Sequence, residues 1–208
     1  MSTPTPDTQW PPAGCPPLAW PALPDQDARL AWYRAVIDSY GLLWEGHVTA
    51  PKLAPVDEAS LAALEARLGC ALAPALRCYH SALGVLSLGE RLCSVQPGDI
   101  CIQPLSEAFP SIVDIATSET ELELAAELVA FGDYLGNGNM FCFHRFTGEV
   151  FYFDHDQAPL LSRFFDSVDD YLDALMIRTL AEVYEDDEAG MALLAARFGR
   201  DLVSKWLY

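Results

Sequence analysis

Basic residues are scarce in this chain: 12 Lys and Arg face 30 Asp and Glu, for a formal net charge of −18. Nucleic acid and anionic lipid reward clustered cations, so the balance argues against binding either. No apolar run reaches the roughly 18 residues of a membrane-spanning helix, and none is expected. Met1–Pro24 has no basic start followed by an apolar stretch, so it does not read as a secretory signal, and a cytoplasmic location is the expectation. The six cysteines form no CxxC pair and no zinc-finger spacing with histidine, so free thiols are expected. There is no Gly-x-Ser-x-Gly elbow, phosphate loop or His-Glu-x-x-His. No metal or cofactor is expected, and no catalytic residue is assigned.

What is present is apolar and unevenly charged. Hydrophobic residues make up 51% of the chain and aromatics 11%, enough for a folded core in a chain of 208 residues. Residues 99–190 hold 20 of the 30 acids and 3 of the 12 bases, so the imbalance is concentrated there. Such a field keeps a protein soluble, and it also speeds encounter with a basic protein.

Residues 1–24 hold eight of the fifteen prolines and read as an extended arm. Trp10, Leu18, Trp20 and Leu23 are too apolar for a pure linker, so part of the arm should lie against the rest. A single domain is expected over residues 25–208. Helices are expected over Asp25–Tyr40, from the Asp57 cap to Leu68 with Gly69 as stop, from Pro74 to Gly84, over Val168–Tyr184 after the Ser167 cap, and over Met191–Tyr208 with a break at Gly199. Trp32, Trp44 and Trp206 read as packing residues. An irregular helical stretch over Leu105–Ala116 is interrupted by Pro110.

Short strands are expected at Leu92–Val95, Ile100–Gln103 and Leu128–Phe131. The clearest β signal is Met140–Arg145 and Glu149–Asp154 about a Gly-containing turn, which predicts a hairpin. A three-residue loop would pair Arg145 with Glu149, Phe143 with Phe151 and Phe141 with Phe153, giving one face of four phenylalanines. His144 and Asp154 would share the other face. On a strand, Asp154 and Asp156 share a side and His155 points away, which argues against one converging metal or catalytic site. Asn137-Gly138-Asn139 reads first as a turn and, beside Asp133 and Tyr134, as a candidate binding loop. Glu119, Glu121, Glu123 and Glu127 read as solvated surface.

Three segments in order resemble the SUKH superfamily, which contains bacterial immunity proteins and fungal regulators of cell-wall synthesis. The first is Leu61–Gly84, with Glu65, Leu68-Gly69 and Pro74, although Ala73 intervenes in the leucine-proline step. The second is Phe131–Asp156: Gly132-Asp133, Gly136-Asn137-Gly138-Asn139, Gly148-Glu149-Val150 and Asp154-His155-Asp156. Family members often place aspartate where Asn139 and His144 stand here. The third is Phe165-Asp166-Ser167-Val168 running into Tyr171-Leu172. The resemblance covers about residues 50–180.

It implies an α+β fold, with a central, mainly antiparallel β-sheet covered by helices, and the N- and C-terminal helices read from periodicity are extra to it. It also implies a non-enzymatic immunity protein that binds and neutralises a cognate toxin protein, or a regulatory protein-binding module of the same fold. The candidate partner-binding residues are Asp133, Tyr134, Asn137, Asn139, Asp154 and Asp156. Glu185, Asp186, Asp187 and Glu188 are expected to form an outer steering patch.

Overall fold

The computed structural model describes residues 11–48, 50–98, 100–134 and 136–206, except for the Tyr134 side chain. Trp10 and the first prolines of the arm lie outside the described residues. The chain divides into two compact units, residues 52–173 and residues 1–51 with 174–208, and the boundary falls inside one long helix.

In the unit of residues 52–173, local signals set the helices. α1 (Gln26–Leu43) belongs to the other unit, so this one opens with α2 (Glu58–Leu68). Asp57 caps α2 by accepting from the Ser60 amide, and Gly69 ends it in the left-handed region at φ 66°. α3 (Pro74–Ala82) starts on its proline. At the end of α3, Gly84 has φ +61°, and a Cβ there would stand 1.9 Å from the Ala54 carbonyl oxygen. Only glycine lets the 54–56 segment lie against this helix, with the Ala54 and Val56 amides donating to the Leu83 and His80 carbonyls.

The sheet is antiparallel, built from β1 (Ser87–Leu88), β2 (Glu90–Leu92), β3 (Gln103–Pro104), β4 (Leu128–Tyr134), β5 (Asn139–His144), β6 (Val150–Phe153) and β7 (Leu161–Phe165). Its order is β1-β2-β4-β5-β6-β7, and β3 pairs with β4 beside β2. The fold is therefore α+β, with its helices on both faces of this sheet. On one face, α4 (Leu105–Ala108), α5 (Ile112–Ile115) and α6 (Glu119–Ala126) cover Leu128, Ala130, Cys142 and Phe153. On the other, Tyr171 near the start of α7 (Val168–Tyr184) packs on Phe131, Phe141 and Phe165, and its hydroxyl donates to buried Glu90.

The hairpin exists, but its register corrects the sequence reading by one residue. Phe141 pairs with Tyr152 and Phe143 with Val150, while Met140 pairs with Phe153 and Cys142 with Phe151. The four phenylalanines are thus split between the faces, two to each core. The connection has four residues, because His144 turns its Nδ1 to accept from the Phe146 and Thr147 amides and pairs with Glu149. Arg145 is freed from Glu149 and forms its ion pair with Glu127, while Glu149 pairs with Arg163 at 2.8 Å.

A second correction concerns Glu121, which is buried and not on a solvated face. It accepts from the Thr117 amide and hydroxyl and, at 2.7 Å, from the Leu160 amide. Burial pushes its pKa up, but these donors outweigh it and hold the carboxyl below its ordinary value.

The unit of residues 1–51 and 174–208 is helical. α1 is capped by Asp25 and buries Trp32, Tyr33, Val36, Ile37 and Tyr40. α8 (Asp187–Phe198) and α9 (Arg200–Trp206) follow the C-terminal half of α7. Part of the arm lies on these helices, as its apolar residues suggest. Trp20 donates through Nε1 to the Leu193 carbonyl, carries the Arg197 guanidinium 4.4 Å from its ring centre and meets the Phe198 ring edge-on. The Tyr184 hydroxyl donates to the Pro16 carbonyl.

Candidate functional site

The residues singled out around the glycine loop converge at one end of the sheet, where β4 leads to β5 and β6 runs out. Asp133 opposes Met140 across β4 and β5, and the Tyr134 backbone opposes Asn139. Asn137 closes the intervening turn by accepting the Asn139 amide at 2.9 Å. Gly138 takes φ +89° there, and a Cβ at this position would stand 3.4 Å from the His155 ring.

Asn139 is the centre of the arrangement. It is buried, its Nδ2 donates to the Tyr152 hydroxyl at 3.0 Å, and its Oδ1 accepts from both the His155 amide and the His155 ring Nδ1, at 3.2 and 2.8 Å. An amide oxygen can only accept, so the ring donates through Nδ1, and its Nε2 lies 3.5 Å from the Asp156 carboxylate. Asn139 thus ties Tyr152 and His155 together beneath this surface.

The sequence reading missed His155 because it carried the strand too far. β6 stops at Phe153, and from Asp154 the chain turns, with the Asp156 amide donating to the Asp154 carboxylate at 3.0 Å. Alternation no longer applies beyond that point, so His155 swings back to Asn139 and packs at a tilt against Phe109, 5.6 Å between ring centres. His144 and Asp154 do not share a site, since they stand at opposite ends of the hairpin. The signal that could have placed the strand end is the turn-rich run Asp154-His155-Asp156 and Ala158-Pro159.

What this end shows to solvent is polar and anionic. Asn137 and Asp156 are exposed, while Asp133, Asp154 and His155 are half-buried. Arg91 faces Asp133 in the register of β2 and β4, and Asp133 Oδ1 is buried without a hydrogen-bond partner among the described residues. Of the three arginines in residues 99–190, Arg145 and Arg163 are engaged by Glu127, Glu149 and Asp166. They do not belong to this end of the hairpin.

The cluster Glu185–Glu188 belongs to the other unit. Its four side chains are exposed, but Asp186 is also structural: it caps α8 by accepting the Ala189 amide at 2.9 Å. Asp187 and Glu188 lie in the first turn of that helix, where negative charge is favourable.

Among the described residues, no group of three or more His, Cys, Asp or Glu is arranged to hold a metal ion. No helix among them is long and apolar enough to cross a membrane. This end of the sheet presents a polar surface with an imidazole and carboxylates at its rim.

Residues 55–174, well over half of the chain, match the model of the SMI1 / KNR4 family (SUKH-1). The chain belongs to that family, and the matched stretch coincides closely with the compact unit of residues 52–173. No curated protein and no solved structure matches the chain.

Proposed function

We propose that the chain is an immunity-type protein that binds and neutralises a cognate basic toxin protein inside the cell, and that it carries out no chemistry of its own. Toxins that act on nucleic acid need cationic surfaces, and an acidic protein can occupy them. The contact residues in this reading are Asp133, Tyr134, Asn137, Asp154 and Asp156, held in shape by Asn139 and His155. Glu185, Asp187 and Glu188 add long-range attraction.

The observation that carries the reading is the Asp133 carboxylate. One of its oxygens is buried with no donor among the described residues, on a surface belonging to the most acidic stretch of the chain. An unpaired buried carboxylate oxygen is costly, and an N–H from a basic partner would satisfy it.

The test begins with the reading frames flanking this one, searched for a large secreted protein that ends in a basic domain. That domain is then expressed with and without this chain. Rescue of growth and co-purification of a 1:1 complex are the expected results. Absence of such a neighbour, together with capture of several endogenous proteins, would favour the regulatory role and overturn the immunity role.

A further inference from the structure

The unit of residues 52–173 also holds a cavity of about 270 Å³, away from the glycine loop, lined in part by Asp57, Ser60, His80 and Gln96. His80 has no exposed surface, and neither ring nitrogen has a hydrogen-bond partner among the described residues. A buried imidazole without partners has given up its bonds to water for nothing, and such a group calls for an explanation. A ligand atom entering the cavity it borders would supply one.

The lining states the chemistry. Burial pushes the His80 pKa down to about 4, so at neutral pH the ring is uncharged and one nitrogen offers a lone pair to a donor. Among the described residues that line it, Asp57 is the one formally charged group. The Ser60 amide and hydroxyl and the Ala59 amide hold its carboxyl below the ordinary value, so it is ionised. Val56, Leu86 and Val95 give the walls an apolar character that suits an aliphatic stem. The Gln96 amide meets Ser60 Oγ at a long 3.3 Å near solvent, a contact that an incoming donor can replace.

We propose that this cavity takes an alkyl-guanidinium group, the side chain of an arginine on a protein partner, with its head between Asp57 and the bare His80 nitrogen. A guanidinium has five donors in a rigid fork, which suits acceptors that are set apart. The inference rests on the reading of a basic protein partner and names one of its anchors.

The experiment uses the full chain with 15N-labelled histidine, following the His80 ring nitrogens at pH 7 and constant ionic strength. N-acetyl-L-arginine methylamide, its norleucine counterpart and free L-arginine are added in turn. The expected result is a saturable shift with the blocked arginine, none with norleucine, and no tighter binding of free arginine. Asp57→Asn keeps a good helix cap while removing the charge, and should weaken the blocked arginine about tenfold. His80→Leu, followed by the ligand's own signals, should abolish binding.

No saturable shift, an equal response to norleucine, or unchanged affinity in Asp57→Asn would overturn the proposal. Tenfold tighter binding of free arginine would replace the partner side chain with the amino acid itself. The probe is a small molecule, so its failure while a toxin domain is still captured sinks this anchor alone. Lost capture with the probe still bound sinks the immunity role.

Discussion

Lowering the pH from 7 to 5 should cost the protein stability through one residue, His80. The ring lies on α3 with no exposed surface, beside buried Tyr79, and among the described residues that line the adjacent cavity Asp57 is the charged group. Its pKa falls from the ordinary 6.5 to about 4 because burial penalises the imidazolium. The unfolded chain therefore takes up a proton below about pH 6.5 that the folded chain refuses until about pH 4, and stability falls as pH falls across that window. With about 1.4 kcal/mol per pH unit, the loss is roughly 2 kcal/mol at pH 5 and levels off near 3 kcal/mol below pH 4.

His80→Leu removes the titrating group and leaves no unsatisfied nitrogen. Urea unfolding followed by circular dichroism, at half-unit steps from pH 7 to 5, should show the variant losing roughly 2 kcal/mol less than the parent over that range. The comparison cancels whatever the two proteins share. Parallel pH profiles for parent and variant would refute the reasoning, since they would mean that the ring finds a partner or water that the fold does not show.

Four further outcomes follow from the geometry. Asn139→Ala strips partners from the Tyr152 hydroxyl and from the His155 amide and ring, and should cost roughly 2–4 kcal/mol in urea unfolding. Asn139→Asp should cost less than about half of that, because the Tyr152 hydroxyl can turn to donate to a carboxylate. Gly84→Ala drives a Cβ into the Ala54 carbonyl at a positive φ, so a loss of roughly 3 kcal/mol or failure to fold is expected, read by thermal melting. Trp20→Ala removes the Leu193 bond and the Arg197 stack, and limited proteolysis should then cut within residues 11–24 at least several-fold faster.

The helices of this fold were largely legible, because their ends are written locally: Asp25 and Asp57 as caps, Pro74 as a start, Gly69 as a stop. The hairpin was legible as an element but not in its register, which turned on His144 accepting two amides and on Arg145 finding Glu127. Neither choice is visible within the turn itself. β7 went unread because Leu-Ser-Arg-Phe-Phe shows no clean alternation and follows a proline. Glu121 looked like surface because the amide that satisfies it comes from Leu160, 39 residues away. At the candidate site, the glycine loop and its acids could be listed from sequence. The role of Asn139 as their organiser could not, because it depends on where β6 stops.

The rate at which the chain meets its basic partner tests the immunity role most directly. Stopped-flow association of the full chain with the captured toxin domain, from 25 to 500 mM NaCl, should slow by at least tenfold while dissociation changes little. The triple variant Asp133→Asn, Asp154→Asn, Asp156→Asn should associate more slowly at low salt and show a shallower salt dependence. An association rate indifferent to salt, or a triple variant that behaves like the parent, would contradict it.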